Sequence, residues 1–217
     1  MLVTKYKKIS STSIKKRLRG SERRRQILEK AQKLCSKKGF AGTTLDEIAR
    51  EAGISRALIV QHFGSKIGLY EALVDFLFEN HPMEEDPDLI KRIEAKDDFG
   101  VFWAFSAHAF KHMANYKKQS PLRLIFFSIL ENPYLYKRHY QQRSIKSLTV
   151  LEEYISKRIE EGVFIKVDPH HVAVGFVAML TQLLLLEVTI KSVPDKNTFM
   201  STIETMIKLL VNGLKKA

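Results

Sequence analysis

The chain has 217 residues, a single cysteine and a formal net charge of +12, with 45% hydrophobic and 28% charged residues. This length and composition are typical of a soluble globular protein of one or two domains. One cysteine excludes an intrachain disulfide framework and zinc modules that need several cysteine ligands.

The positive charge lies at one end of the chain. Residues 1–66 contain 17 Lys and Arg against 5 Asp and Glu, whereas residues 67–217 contain 19 of each. Such a basic segment indicates a polyanionic partner, and charge alone leaves DNA, RNA and an anionic membrane surface open. The basic start lacks the apolar run of a signal peptide, so the expected location is cytoplasmic.

Helical periodicity dominates the rest of the chain. Residues 1–20 carry seven basic and no acidic side chains, which predicts a flexible arm. Beyond them apolar residues recur at helical spacing, with breaks at glycine or proline and no useful strand alternation. The sequence therefore predicts an all-α fold of about nine helices, with the acidic stretch 81–88 as a connection. The predicted helices span about residues 21–38, 44–52, 55–63, 66–80, 97–116, 121–131, 134–161, 169–191 and 197–215.

The stretch from residue 43 to residue 66, TTLDEIAREAGISRALIVQHFGSK, has the pattern of a helix-turn-helix. Gly53 suits the left-handed backbone of a tight turn, and Ser55 can cap the helix that follows it. Thr44 and Glu47 have the spacing of a capping box at the start of the first helix. The second helix of the pair is then free to enter a major groove.

Several side chains around this motif are candidates for contact with DNA. Arg and Gln can read guanine and adenine edges through paired hydrogen bonds, and exposed amides at helix starts suit phosphates. The residues that we predict to lie at the DNA interface are Thr43, Thr44, Ser55, Arg56, Ala57, Val60, Gln61, His62 and Lys66.

Over roughly residues 23–77 the sequence resembles the TetR family. The resemblance rests on a combination of residues at fixed spacing: Gly39, Phe40, Thr43, Thr44, Ile48, Ala49, the turn 52–55, His62, Phe63, Ser65 and Lys66. It implies a homodimer with an N-terminal three-helix DNA-binding domain and a C-terminal domain that binds an inducer and dimerises. It also implies DNA contacts by Thr44, Arg56, Ala57, Gln61, His62 and Lys66. The chain departs from the family at Val60, where an aromatic residue is usual, and at Ile67, where an acidic residue is usual.

The resemblance suggests three segments: a basic arm (1–20), a helix-turn-helix domain (21–66) and a helical ligand-binding and dimerisation domain (67–217). Within the last, residues 173–190 approach the minimum length of a membrane span. Gln182 and Glu187 lie inside this stretch, and Asp168 with Pro169 precedes it as a cap and first-turn pair. We therefore predict a helix buried nearly all round, in a core or in a two-fold subunit interface.

Aromatic residues are concentrated in the helix predicted at 97–116, where they could line a cavity for a small, largely apolar ligand. The alternative is that these rings simply fill the core. The candidate ligand-binding residues are Trp103, Phe105, His108, Phe127 and Gln182.

The sequence gives little support for a metal site, a cofactor or catalysis. His108 and His112 are four residues apart and could share a metal, but no third ligand is placed, so neither a metal nor a cofactor is predicted. Cys35 lies on a buried helical stripe, and no nucleophile motif or glycine-rich phosphate loop is present. We therefore do not expect an enzyme.

The sequence as a whole predicts a ligand-responsive transcriptional regulator. By family resemblance it is a repressor, released from a palindromic operator by a small apolar or amphipathic molecule. The alternative is a constitutive DNA-binding or architectural protein whose C-terminal domain is only an interaction module. An RNA-binding or membrane-surface protein would show no preference for a palindromic duplex.

Overall fold

The computed structural model describes residues 19–79, 82–113, 121–131, 133–134, 137, 145–190 and 196–216. Within these ranges the chain forms ten α-helices and one 3-10 turn, and the only extended pairing is an isolated bridge. The helices are α1 (Gly20–Lys38), α2 (Leu45–Ala52), α3 (Arg56–Phe63), α4 (Lys66–Glu79), α5 (Pro87–Glu94), α6 (Asp98–Met113), α7 (Pro121–Glu131), α8 (Ile145–Glu160), α9 (Pro169–Ile190) and α10 (Lys196–Leu214). The all-α prediction is confirmed, and most of the predicted arm, residues 1–18, lies outside the described residues.

Local capping explains where the helices of the predicted helix-turn-helix begin and end. The Thr44 hydroxyl accepts a hydrogen bond from the Glu47 amide, and the Glu47 carboxylate accepts one from the Thr44 amide. The Ser55 hydroxyl accepts a hydrogen bond from the Leu58 amide at the start of α3. Between the two helices Gly53 adopts a φ of +66°, a left-handed conformation that costs glycine little. The motif is therefore present at the predicted residues.

Part of the predicted connection at 81–88 is helical, so that prediction was wrong. Residues Met83–Glu85 form the 3-10 turn, and α5 follows directly. The Asp86 carboxylate caps α5 by accepting hydrogen bonds from the amides of Asp88 and Leu89, and Pro87 occupies the first turn. Of the helix predicted at 134–161, the structure describes α8 from Ile145 onwards, and most of the preceding residues lie outside the described ranges.

Buried apolar side chains form two clusters. The first core joins α1 to α4 and includes the fully buried Ile27 and Leu73, together with Leu124 from α7. The second core joins α5, α6, α8, α9 and α10 around residues such as Phe102. By packing, the first core continues along α4 to Leu77, whereas the sequence placed a domain boundary at residue 66. Helix α7 is the element that contributes to both cores.

Helix α9 packs on the second core by one side only. Its buried residues Ala173, Phe176 and Leu180 recur at helical spacing, whereas Val174 and Met179 are exposed. Over Pro169–Glu187 the helix is long and apolar enough to cross a membrane, with a mean hydropathy of 1.5, and 22% of that window is buried. The prediction of a helix buried nearly all round is therefore not met within one subunit, because half of its circumference faces away from the core.

Candidate nucleic-acid interface

Helix α3 has one face in the first core and another on the surface. Ile59 is fully buried and Phe63 is buried beside it, so these two side chains anchor the helix. Arg56, Val60 and Gln61 are exposed, and Ala57 is exposed between them. Neighbouring members of this set are one, three or four positions apart, which places them together on the outward side of α3. This surface has the side chains and the accessibility needed to enter a DNA groove.

Arg56 is held by an acidic neighbour that sequence reasoning did not single out. Its guanidinium lies 3.4 Å from the Asp46 carboxylate on α2, and about 60% of each side chain is exposed. An exposed ion pair of this kind contributes at most about 1 kcal/mol, so base or phosphate groups can replace Asp46 when DNA binds. The pair therefore orients Arg56 without locking it.

The start of α2 and the start of α4 supply the predicted phosphate contacts. Thr44 is exposed and forms the capping box of α2 with Glu47. Hydrogen bonds from Lys38 and from the Thr44 amide lower the pKa of Glu47 to about 2, so the carboxylate stays ionised and the cap stays formed at neutral pH. The Lys66 ammonium lies 4.4 Å from the centre of the Phe40 ring. It is half-buried, which restricts where its charge can point.

Three of the predicted contact residues have roles within the fold. Thr43 is fully buried and donates its hydroxyl to the Gly39 carbonyl at 2.8 Å, so its side chain does not reach the surface and we remove it from the candidate set. The Ser55 hydroxyl is exposed but serves as the cap of α3. His62 is half-buried beside Phe63, with ring centres 6.1 Å apart.

Arg24 was missed by sequence reasoning, although it lies against the recognition helix. Its guanidinium donates to the His62 carbonyl at 2.9 Å and lies 4.4 Å from the centre of the Phe63 ring. A positive charge at the C-terminal end of a helix interacts favourably with the helix dipole. Arg24 therefore fixes the end of α3 and brings the first turn of α1 beside it.

The predicted ligand-binding residues do not gather at one place. Phe105 and His108 are buried on one side of α6, where Phe105 contacts Phe176 of α9 with ring centres 6.1 Å apart. Trp103 is two residues from Phe105, points to another side of α6 and stacks on Phe99 at 5.9 Å.

The remaining candidates are dispersed over other helices. His108 pairs through its Nδ1 with the Asp86 carboxylate at 2.7 Å, which satisfies a buried ring. Phe127 is half-buried on α7, and Gln182 is exposed on α9. Gln182 therefore faces away from the second core, contrary to the reason for choosing it.

The single cysteine has an environment that suppresses thiol reactivity. Burial raises the pKa of Cys35 to about 11, with the Thr43 hydroxyl and the Lys66 charge opposing this rise. At neutral pH the side chain is a thiol packed in the first core. Its position gives it a packing role.

Residues 27–73 match the family model for bacterial regulatory proteins of the tetR family. This segment contains the whole of α2, the turn and α3. The HTH-type transcriptional regulator TtgR of Pseudomonas putida is 47% identical over 60 residues, which are 28% of this chain and 29% of TtgR. Over these residues the chain is similar to bacterial regulatory proteins of the tetR family.

A second curated relative has a different kind of name. The nucleoid occlusion factor SlmA of Aliivibrio fischeri is 36% identical over 83 residues, 35% of this chain and 42% of SlmA. The chain therefore covers less than half the length of either relative.

Solved structures extend the likeness to the C-terminal helices. HlyIIR, a hemolysin II transcriptional regulator, has a TM-score of 0.62 and 16% identity over 92% of this chain and 100% of HlyIIR. AibR, solved with isovaleryl coenzyme A and operator DNA, has a TM-score of 0.61 and 20% identity over 87% of this chain and 98% of AibR. At these identities the likeness establishes the fold: an N-terminal helix-turn-helix domain and a helical C-terminal domain.

Proposed function

We propose that this chain is a cytoplasmic transcriptional regulator that binds a palindromic DNA operator and releases it when a small apolar or amphipathic molecule binds the C-terminal domain. The outward face of α3 carries the DNA-binding part of the proposal. It presents Arg56 and Gln61, which can bind guanine and adenine edges, on a helix anchored by Ile59 and Phe63. The basic excess of residues 1–66 supplies attraction to phosphates.

The proposed active form is a two-fold dimer. Such a dimer places two copies of α3 in successive major grooves, about 34–36 Å apart. Support comes from apolar side chains on the outward sides of α9 and α10, where Met179 is 43% exposed and Leu209 is 70% exposed. Large exposed apolar side chains of this kind are what a subunit interface would cover.

Ligand control in this proposal is a shift between two arrangements of the dimer. A ligand that binds more tightly to an arrangement with the wrong spacing of the α3 helices lowers the affinity for DNA by that difference. Phe105 is the best-placed candidate to line a ligand site, because it lies on the buried side of α6 that faces α9; His108, three residues later, is buried beside Asp86. AibR is solved with both a coenzyme A ester and operator DNA, so one protein of this fold accommodates both.

Selection of bound sequences from random duplex DNA tests the DNA-binding part. We expect the selected sequences to share a palindrome whose half-sites lie about one helical turn apart. Recovery of no common motif, with equal binding to RNA or to anionic vesicles, would contradict it and favour a general polyanion-binding surface instead.

The likeness to a nucleoid occlusion factor favours a second candidate, a constitutive DNA-binding or architectural protein. In that case the C-terminal domain would be an interaction module, and the dispersed positions of Trp103 and Gln182 would need no further explanation. A screen of apolar small molecules separates the two. A compound that raises the melting temperature and lowers operator affinity supports ligand control, whereas binding partners that leave operator affinity unchanged support the second candidate.

The dimer prediction is tested by placing charge on its expected surface. Leu209→Glu should abolish a stable dimer, because it buries an unpaired carboxylate in an apolar interface. Ile90→Glu is the matched control, since Ile90 is 41% exposed on α5, away from α9 and α10. Sedimentation at micromolar concentration should show a dimer for the parent and for the control. A stable folded monomer of the parent chain would contradict the prediction.

Arg56 and Lys66 should differ in what they recognise. Arg56→Ala should relax the preference at one base pair of each half-site, at a cost of about 1–3 kcal/mol each. Lys66→Ala should weaken binding to all sequences by a similar factor, because a phosphate contact carries no base information. Repeating the sequence selection with each variant measures this difference. An unchanged preferred sequence for Arg56→Ala would remove it from the base-reading set.

A further inference from the structure

Helix α7 is built into both halves of the molecule. Leu122 is buried in the second core, and Leu124 is fully buried in the first core beside α1 and α4. The Tyr70 hydroxyl of α4 forms hydrogen bonds with the Leu124 carbonyl, at 3.2 Å, and with the Ser128 hydroxyl. Burial raises the pKa of Tyr70 to about 12, so this phenol stays protonated. Helix α7 is therefore joined by packing to both cores and by hydrogen bonds to α4.

The last residue of α7 lies against the connection between α1 and α2. The Glu131 carboxylate accepts a hydrogen bond from the Ala41 amide at 2.9 Å. Its other oxygen lies so close to Gly39 that a Cβ atom there would be 2.1 Å away. Gly39 also has a φ of +76°, so glycine is required at this position for both backbone and steric reasons. The Glu131 carboxylate therefore fits against this connection only because residue 39 has no side chain.

The same connection leads to two of the proposed phosphate-binding elements. The Lys66 ammonium lies 3.4 Å from the Ala41 carbonyl, which belongs to the residue whose amide Glu131 binds. Three residues after Ala41, Thr44 caps α2. The Ala41 amide is therefore bonded to the end of α7, and the Ala41 carbonyl is bonded to the start of α4.

We propose that Glu131 is a positioning residue for DNA binding: by holding Ala41, it fixes the place of the Lys66 ammonium and of the α2 N-terminus for contact with phosphates. This inference rests on the proposed DNA-binding function and adds to it a route from the C-terminal half to the interface. The bond is exposed and lies at the end of α7, so a small shift of α7 is sufficient to break it. Losing it removes the hydrogen bond that joins α7 to the residue whose carbonyl Lys66 contacts.

Two substitutions at Glu131 separate its hydrogen bond from its charge. Glu131→Gln and Glu131→Ala both remove one negative charge, but only Gln keeps a side-chain oxygen that can accept from Ala41. Glu153→Ala, at an exposed carboxylate of α8, controls for charge removal elsewhere. Fluorescence anisotropy with the duplex selected by the parent protein gives the affinity and its dependence on salt, and thermal melting gives the stability.

Glu131→Ala should bind the selected duplex about tenfold more weakly, as expected for loss of a hydrogen bond to a charged group. Its salt slope should flatten by about two units per dimer, because each Lys66 contact contributes about 0.9. Glu131→Gln should recover most of the affinity, and Glu153→Ala should bind like the parent. Combined with Lys66→Ala, the Glu131→Ala change should have little additional effect, because both act on one contact.

The possible failures are distinguishable. A parent protein that binds no duplex contradicts the proposed function itself. A parent that binds normally while Glu131→Ala keeps its affinity and salt slope overturns only the role of Glu131. A lower melting temperature with an unchanged salt slope, or full additivity with Lys66→Ala, would assign Glu131 a structural role and also overturn the inference.

Discussion

Arg158→Ala should destabilise the C-terminal domain by about 3–5 kcal/mol, the usual cost of leaving one buried charge without its partner. Arg158 and Asp98 are both less than a tenth exposed. The Arg158 guanidinium donates to the two Asp98 oxygens at 2.7 and 3.2 Å, and the Tyr154 hydroxyl donates to the first of them at 2.7 Å. Removal of Arg158 would therefore leave the buried Asp98 carboxylate with the Tyr154 phenol as a hydrogen-bond donor and with the Lys215 ammonium 4.0 Å away.

The pKa values around this pair agree with a charged network. The hydrogen bond to Asp98 raises the pKa of Arg158 above its already high usual value, although burial opposes this. Burial, and then the hydrogen bond to Asp98, raise the pKa of Tyr154, so the phenol remains a donor throughout the physiological range. Arg158 therefore stays protonated, and Tyr154 stays a hydrogen-bond donor, throughout the physiological range.

An exposed ion pair in the same domain provides a matched control. Arg92 lies 2.6 Å from Asp97, but about 40% of each side chain is exposed, so Arg92→Ala should cost no more than about 1 kcal/mol. The double variant Asp98→Leu/Arg158→Met should recover much of the stability lost in Arg158→Ala, because it removes both buried charges. Urea denaturation measures all three. Equal midpoints for Arg158→Ala and Arg92→Ala would contradict the importance of burial.

The helix-turn-helix was predictable because its determinants are local. Thr44 with Glu47, Gly53 and Ser55 act on backbone groups within three or four residues, so their spacing alone defines where α2 and α3 begin and end. The outward face of α3 follows from the same periodicity, once Ile59 and Phe63 are assigned to the core. Local signals of this kind can be interpreted without knowledge of the rest of the fold.

Helix α5 shows that a local signal can also be overlooked. Asp86 and Pro87 form the same cap and first-turn pair as Asp168 and Pro169 before α9, and both pairs start helices. The acidic composition around Asp86 indicated a connection rather than a helix. In addition, α5 is short and Leu89 is its one fully buried residue, so the apolar periodicity is weak. The capping signal was the better guide here than composition.

The remaining features depend on contacts between distant parts of the chain. Glu131 meets Ala41 across 90 positions, Arg158 meets Asp98 across 60, and Arg24 meets the His62 carbonyl across 38. Helical periodicity gives the inward side of each helix but not the neighbour that it meets. For the same reason it could not show that Thr43 is buried or that Gln182 faces outward.

Deletion of residues 1–19 should flatten the salt dependence of DNA binding more than any single substitution. The deleted segment contains seven basic and no acidic residues: Lys5, Lys7, Lys8, Lys15, Lys16, Arg17 and Arg19. If the arm of each subunit neutralises three phosphates, a dimer gains about five units of slope. That is about a thousandfold change in the arm's contribution to affinity between 50 mM and 200 mM salt.

The beginning of α1 lies near the C-terminal end of α3. Arg24, in the first part of α1, contacts the His62 carbonyl at the end of α3. Gly20, where α1 begins, is about 6 Å from Arg24 along the helix axis. A basic segment that joins the protein at this point is within reach of phosphates or of the minor groove next to the site of α3.

A protein that begins at Gly20 should keep its preferred operator sequence, because Arg56 and Gln61 remain in place. Its melting temperature should also stay close to that of the full chain, since the first core begins at Ile27. Its affinity should fall most at low salt, where the attraction of phosphates is strongest. A full-length variant with the seven basic residues changed to Ser should behave in the same way, which separates charge from chain length. An unchanged salt slope in both proteins would show that the arm does not contact DNA.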